Sequence, residues 1–266
     1  MGFIVETLEL TKQFGRFIAL DHLNISLEEG GIFALLGPNG AGKTTAIKLL
    51  TTLLAPTSGD ALIDGISIIK HPFKVRRLIG YVPQMISVDG TLTGYENLLL
   101  FAKLYDIPSK EAKRRVWESL EFMNLTDHAR KAVKTYSGGM IRRLEIAQSM
   151  LHRPKVLFLD EPTTGLDPIG VNAVWQHILD LKQQFNTTIL LTTHVMDEAD
   201  KLADHVAFLS RGKLAAIGTP KELESSLKKE NVTMEDVFIQ YARESDENER
   251  DFHEAARERK TTSRLG

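Results

Sequence analysis

The eight residues Gly37-Pro38-Asn39-Gly40-Ala41-Gly42-Lys43-Thr44 fit the pattern G-x-x-x-x-G-K followed by Ser or Thr without a mismatch. That pattern grips a polyphosphate. Its glycines let the backbone curl so that successive N–H groups point inward at phosphate oxygens. A helix starting near Lys43 would add its positive N-terminal end. Lys43 is placed to neutralise β- and γ-phosphates, and the Thr44 hydroxyl to ligate magnesium. Thr45 either caps the helix or touches the α-phosphate.

A second group of chemistry-bearing residues lies far along the chain. Val156-Leu157-Phe158-Leu159 is an apolar run ending in Asp160-Glu161. A strand end of this kind places Asp160 beside the phosphate loop, where it can hold magnesium through water. Glu161 then faces the γ-phosphate as general base for an attacking water, a role that contributes about 10²–10⁴-fold. An Asp-Glu pair at a strand end is by itself as often solvated as functional; Lys43 in the same chain favours the functional reading.

These groups need elements to hold them. Ile32 to Leu36 is a short continuous apolar run, expected as a strand buried on both faces. Ala46, Ile47, Leu49, Leu50, Leu53 and Leu54 then recur at helical spacing until Pro56. Strand, glycine loop and helix make half of a βαβ unit. Residues 1 to about 30 read as strands and turns, and 61–69 and 78–82 as two more strands. From about 92 to 153 the pattern is helical: Tyr95 to Tyr105, Ser109 to Met123 with Ser109 as N-cap, and Gly138 to Leu151. Strand-type runs return at Val156–Leu159, Ile189–Leu191, His205–Leu209 and Lys213–Ile217. Residues 221–241 read as a helix whose Met234, Val237, Phe238 and Tyr241 share a face and pack on the core. Residues 242–266 carry six basic and seven acidic side chains, expected as a solvated helix or a disordered tail.

Composition narrows the classes. With 266 residues the chain is one large α/β domain or a domain with an appendage, and it needs no staple. Absence of cysteine excludes a disulfide scaffold, cysteine-ligated metal and thiol catalysis. Thirty-three basic against 35 acidic residues leave a net charge of −2, so bulk electrostatics gives no reason to expect nucleic acid. No apolar run approaches the roughly 18–20 residues of a bilayer crossing, so membrane association is expected through a partner.

A phosphate loop plus an acid fits a kinase, a GTPase or a motor. Three further features separate them. Tyr136-Ser137-Gly138-Gly139-Met140 opens a helix and offers free N–H groups as a second anion site. Gly165-Leu166-Asp167-Pro168 follows the acidic pair, and His194 ends the Ile189–Thr193 strand. With these, the sequence resembles the ATP-binding subunits of ABC transporters over roughly residues 3–225. The resemblance implies an α/β fold: a P-loop NTPase core with a mainly parallel sheet, an N-terminal antiparallel β subdomain and an inserted α-helical subdomain. It implies an ATPase domain over 1–225 with the helical part at about 86–153, then a helical extension and charged tail over 226–266.

By the same resemblance, Gln84 senses magnesium and the attacking water. Ser137, Gly138 and Gly139 belong to the signature that binds the γ-phosphate of ATP held by an opposite subunit. Asp167 crosses the interface, and His194 contacts the γ-phosphate. Phe14 is the best match for the aromatic that stacks on adenine, with Phe17 as alternative. Tyr136 and Met140 depart from the leucine and glutamine usual in the signature. Tyr-Ser-Gly-Gly-Met, Thr192-Thr193-His194 and Thr233 to Phe238 look most like ABC-2-type exporters of the daunorubicin-resistance kind.

What this implies is a subunit that uses ATP and magnesium and closes on ATP as a homodimer, or a heterodimer with a related ATPase. It would serve a multi-span permease from the cytoplasmic face of the membrane. A rival reading is a soluble ABC-type ATPase acting on DNA or ribosomes; the absence of a basic patch, tandem nucleotide domains and a coiled-coil insertion counts against it. A nucleotide-binding module without catalysis is disfavoured by Lys43, Asp160, Glu161 and His194 together.

Overall fold

The computed structural model describes residues 2–227 and 232–241. A six-stranded sheet has the order β11-β10-β4-β9-β8-β7. Its strands are β4 (Ile32–Leu36), β7 (Ile79–Val82), β8 (Val156–Asp160), β9 (Thr188–Thr193), β10 (His205–Ser210) and β11 (Lys213–Gly218). All pair in parallel except the β10–β11 hairpin. A second, antiparallel sheet joins β1 (Val5–Phe14), β2 (Phe17–Leu23), β3 (Ser26–Leu27), β5 (Ser58–Ile63) and β6 (Ile66–Ser67).

Period-2 alternation splits the central strands between two cores. Ile32, Ala34 and Leu36 face one core with Leu157 and Leu159, while Phe33 and Leu35 face the other with Val156 and Phe158. The second core lies between the sheets and receives Ala46, Ile47, Leu49 and Leu50 of helix α1 (Lys43–Leu50). The first receives the helices α3 (Gly94–Leu104), α4 (Ser109–Phe122) and α5 (Gly138–Met150). Burial on both faces is why β4 and β8 read as unbroken apolar runs.

Several local expectations need correction. Ser109 is the first residue of α4 and Pro108 is its N-cap, so proline's fixed φ starts this helix. Helix α1 is capped by Gly42 without a side-chain bond, so Thr45 caps nothing. Residues 61–69 are not one strand, because Asp64-Gly65, both at positive φ, turn β5 back into β6. The helix expected over 221–241 is not continuous: α8 (Pro220–Ser226) stops and a separate helical stretch covers 234–241. Thr233 starts that stretch, exchanging hydrogen bonds with Asp236. Met234 and Val237 are buried, and Phe238 and Tyr241 lie against Phe208. Residues 228–231 and 242–266 lie outside the described residues. Helices α2 (Pro72–Leu78), α6 (Pro168–Phe185) and α7 (Met196–Leu202) are additions to the elements expected from sequence.

Candidate active site

The phosphate loop leaves β4 at Leu36 and enters α1 at Lys43. Its glycines are required for different reasons. A Cβ on Gly37 would run into the Leu209 carbonyl, and one on Gly42, at φ +105, would lie 2.5 Å from Ala19 O. Gly40, at φ +82, faces open space. The loop is fixed from outside: Gly212 N donates to Ala41 O at 2.9 Å, and Asp21 N to Gly212 O at 2.8 Å.

Lys43 is 5% exposed, and its Nζ donates to Gly37 O at 2.7 Å and Pro38 O at 3.2 Å. Burial pushes the Lys43 pKa down, while Glu161 and Asp160 pull it back up. A buried ammonium whose charged form is disfavoured by desolvation gains from an added polyphosphate. The residues therefore fit a triphosphate. Residues 39–45 line a cavity of about 400 Å³ with Phe17, Ala19, Gln84 and Glu161.

The acid pair ends β8, which is two strands from β4 with β9 between. Asp160 Oδ1 accepts from Thr44 Oγ1 at 3.2 Å and from Thr192 Oγ1 at 2.6 Å. A hydroxyl and a carboxylate brought together at a phosphate site suit magnesium, which takes few protein ligands beside phosphate oxygens. Glu161 adopts φ 49, a left-handed conformation that costs about 1–2 kcal/mol for a residue with a Cβ. Its N–H is held there by Thr192 O and Thr192 Oγ1, each at 3.1 Å. The Glu161 carboxylate gathers the other expected residues: Gln84 Nε2 at 3.0 Å and Thr164 Oγ1 at 3.1 Å on Oε2, Lys43 Nζ at 3.7 Å and His194 Nδ1 at 3.3 Å on Oε1. Lys43, Thr44, Gln84, Asp160, Glu161 and His194 thus form one constellation.

Ser137, Gly138, Gly139 and Asp167 lie elsewhere and do not line the cavity. Ser137 caps α5, accepting from Met140 N at 3.3 Å, and Asp167 caps α6, accepting from Gly170 N at 2.6 Å. A Cβ on Gly139 would sit 3.0 Å from Gly170 Cα, so the two helix starts touch. Both caps are exposed. Tyr136, in place of the usual leucine, is buried and donates its hydroxyl to His128 O at 2.7 Å. Of the two aromatics, Phe17 lines the cavity and Phe14 does not, although they face each other across the β1–β2 hairpin.

Three supporting groups were not expected. Thr192 bridges both acids. Glu198, fully buried on α7, accepts from Trp175 Nε1 and Thr163 Oγ1, both at 2.9 Å, and ties α6 to the segment after Glu161. Arg142 and Glu145 of α5 hold the backbone around Gln84. The signal for the first was polar Thr192-Thr193 in an otherwise apolar buried strand; the others show only as charges on buried helix faces.

Phosphate loop, acid pair and parallel sheet together define a P-loop nucleotide hydrolase. A family model described as ABC transporter matches residues 20–164, and the chain belongs to that family. Daunorubicin/doxorubicin resistance ATP-binding protein DrrA of Streptomyces peucetius is 45% identical over 223 residues, covering 84% of this chain and 67% of that one. Daunorubicin resistance ATP-binding protein DrrA2 of Streptomyces coeruleorubidus is 43% identical over 224 residues, covering 84% and 69%. Among solved structures, a dimeric post-hydrolysis state of the ATP-binding cassette MJ0796 bound to ADP and Pi is similar at a TM-score of 0.72. The two share 27% identity, and the match covers 81% of this chain and 98% of that one. The protein is an ATP-binding and ATP-hydrolysing subunit of an ABC transporter, working with magnesium.

Proposed function

We propose that this subunit energises an ABC-2-type exporter of drugs, lipids or polysaccharide, and that two such chains, identical or related, sandwich two ATP molecules head to tail. Relatives named for drug resistance support the direction and the cargo class. The observation that carries the sandwich is the division of residues. Lys43, Thr44, Gln84 and Glu161 converge on one cavity, whereas Ser137 and Asp167 stand exposed outside it on the joined starts of α5 and α6. One chain then supplies half of each site.

In this reading residues 37–45 and Lys43 hold the phosphates, and Phe17 stacks on the base. Thr44 and Asp160, with Gln84 nearby, would hold magnesium, which would supply countercharge for phosphate oxygens. Glu161 takes the proton of the attacking water, oriented by Gln84 and Thr164 on one oxygen. His194 lies against the other oxygen and would contact the γ-phosphate. Ser137 with the Gly138 and Gly139 amides binds the partner's γ-phosphate, and Asp167 meets the partner across the interface. Residues 1–225 form the ATPase unit and 226–266 its extension.

Among the described residues no helix is long and apolar enough to cross a membrane. Met85, Ile86, Leu100 and Leu104 are 83%, 65%, 45% and 68% exposed, and we assign this apolar surface to docking of a multi-span permease at the cytoplasmic face. A Glu161→Gln variant tests the sandwich. Without its base it should turn over about 10²–10⁴-fold more slowly and dimerise with ATP by light scattering. A monomer at saturating ATP would rule the arrangement out.

A further inference from the structure

Beyond Val82, the last residue of β7 paired with β8, the sheet no longer holds the chain. The next five residues are fastened instead to α5. Arg142 Nη1 donates to Pro83 O at 2.7 Å and Nη2 to Gln84 O at 3.0 Å. Glu145 Oε1 accepts from Ser87 N at 2.6 Å and Ser87 Oγ at 2.9 Å. The two side chains pair with each other, Nη1 to Oε2 at 3.0 Å, and are 6% and 1% exposed. Gln84 is thus bracketed on both sides by one buried ion pair, and its own amide reaches Glu161.

A buried ion pair contributes little stability compared with well-packed apolar residues of the same volume. What it does supply is direction. A guanidinium fork spans two consecutive carbonyls in a fixed geometry that an ammonium does not reproduce. The same helix is capped by Ser137, five residues before Arg142, or about 7.5 Å along the axis at ~1.5 Å per residue.

We propose that Arg142 and Glu145 are positioning residues that lock Gln84 to α5, so that Gln84 in one ATP site and Ser137 offered to the other move as a unit. The two sites of the dimer are thereby coupled through one and a half turns of helix. The inference rests on the roles given above to Gln84 and Ser137.

The test compares the full chain with Arg142→Lys and with the double variant Arg142→Met/Glu145→Leu, which keeps the volume and removes the charges. Affinity of the isolated subunit for a fluorescent ATP analogue should stay within about twofold, because the phosphate loop is untouched. Turnover should fall about tenfold or more in the double variant and less in Arg142→Lys. The Hill coefficient for ATP, expected above one in the wild type if the sites are coupled, should drop to about one. A folded double variant with wild-type turnover and Hill coefficient overturns the proposal. So does a parallel loss of affinity and turnover. If the double variant does not fold, hydrogen exchange of the wild-type protein decides. On ATP titration the peptide spanning 83–88 and the first turn of α5 should gain protection at one midpoint; separate midpoints overturn the coupling. Gln84→Ala is the control: wild-type turnover there would remove the assignment of Gln84 itself, whatever the pair does.

Discussion

Replacing Thr192 by valine removes one hydroxyl from beneath both acids and changes little in shape. Thr192 is 0% exposed, so no water takes its place. Its Oγ1 donates to Asp160 Oδ1 at 2.6 Å and accepts from Glu161 N at 3.1 Å. The second loss is small, because Glu161 N keeps the Thr192 carbonyl, also at 3.1 Å. The first is a hydrogen bond to a charged acceptor, with a net contribution of about 1.5–3 kcal/mol. For a domain of this size that predicts a fall in Tm of roughly 3–12 °C. If the same energy is expressed in the transition state, turnover at saturating ATP falls roughly 10- to 150-fold. Because Asp160 also faces Thr44, the magnesium concentration giving half-maximal rate should rise. Calorimetry and phosphate release across a magnesium titration measure all three. A valine variant with wild-type turnover, unaltered magnesium dependence and a Tm within about 1 °C would refute the claim that this hydroxyl orients the acid pair.

Two further predictions concern residues around the same site. Phe17→Ala should weaken ATP binding by about 1–3 kcal/mol, the usual contribution of base stacking, while Phe14→Ala stays near wild type by equilibrium titration; the reverse pattern would return the base to Phe14. Glu198→Gln should alter the pH dependence of stability. Burial raises the Glu198 pKa, with Thr193, Trp175 and Thr163 hydrogen bonds and His194 opposing. The folded state therefore binds more protons than the unfolded chain between the ordinary value of 4.5 and the raised one. That contribution is present below the unfolded pKa and is lost as pH rises through the folded pKa, whereas glutamine loses nothing. The variant should gain on wild type in Tm as pH rises from acid to neutral; parallel curves would show that Glu198 does not titrate in this way.

The phosphate loop was legible because its function resides in backbone conformation, and eight consecutive residues specify that. The acids were legible as the polar end of a doubly buried strand. Thr192 and His194 meet them only through parallel pairing of β8 with β9, which local pattern does not encode. The adenine-side aromatic was ambiguous for a related reason. Register shifts between Leu10 and Gln13 of β1 decide how the hairpin presents Phe14 and Phe17, and no periodicity predicts a bulge. Helix α6 carried a readable start in Asp167-Pro168, an N-cap followed by proline. The Arg142–Glu145 pair was hidden because charges four positions or fewer apart on a helix usually mark a solvated face.

The insertion of β9 between β4 and β8 also bears on how the molecule comes into being. Ile32 of β4 finds its neighbour in Ile189, and Val156 of β8 finds its own in Thr188. A chain emerging from the ribosome can curl its glycine loop early, but the strands carrying the loop and the acids are joined only when β9 pairs with both. Such long-range pairing is slow, because the entropy of closing the loop is lost before the contacts form. Nucleotide present during refolding should therefore speed recovery little before this step and hold the product firmly after it.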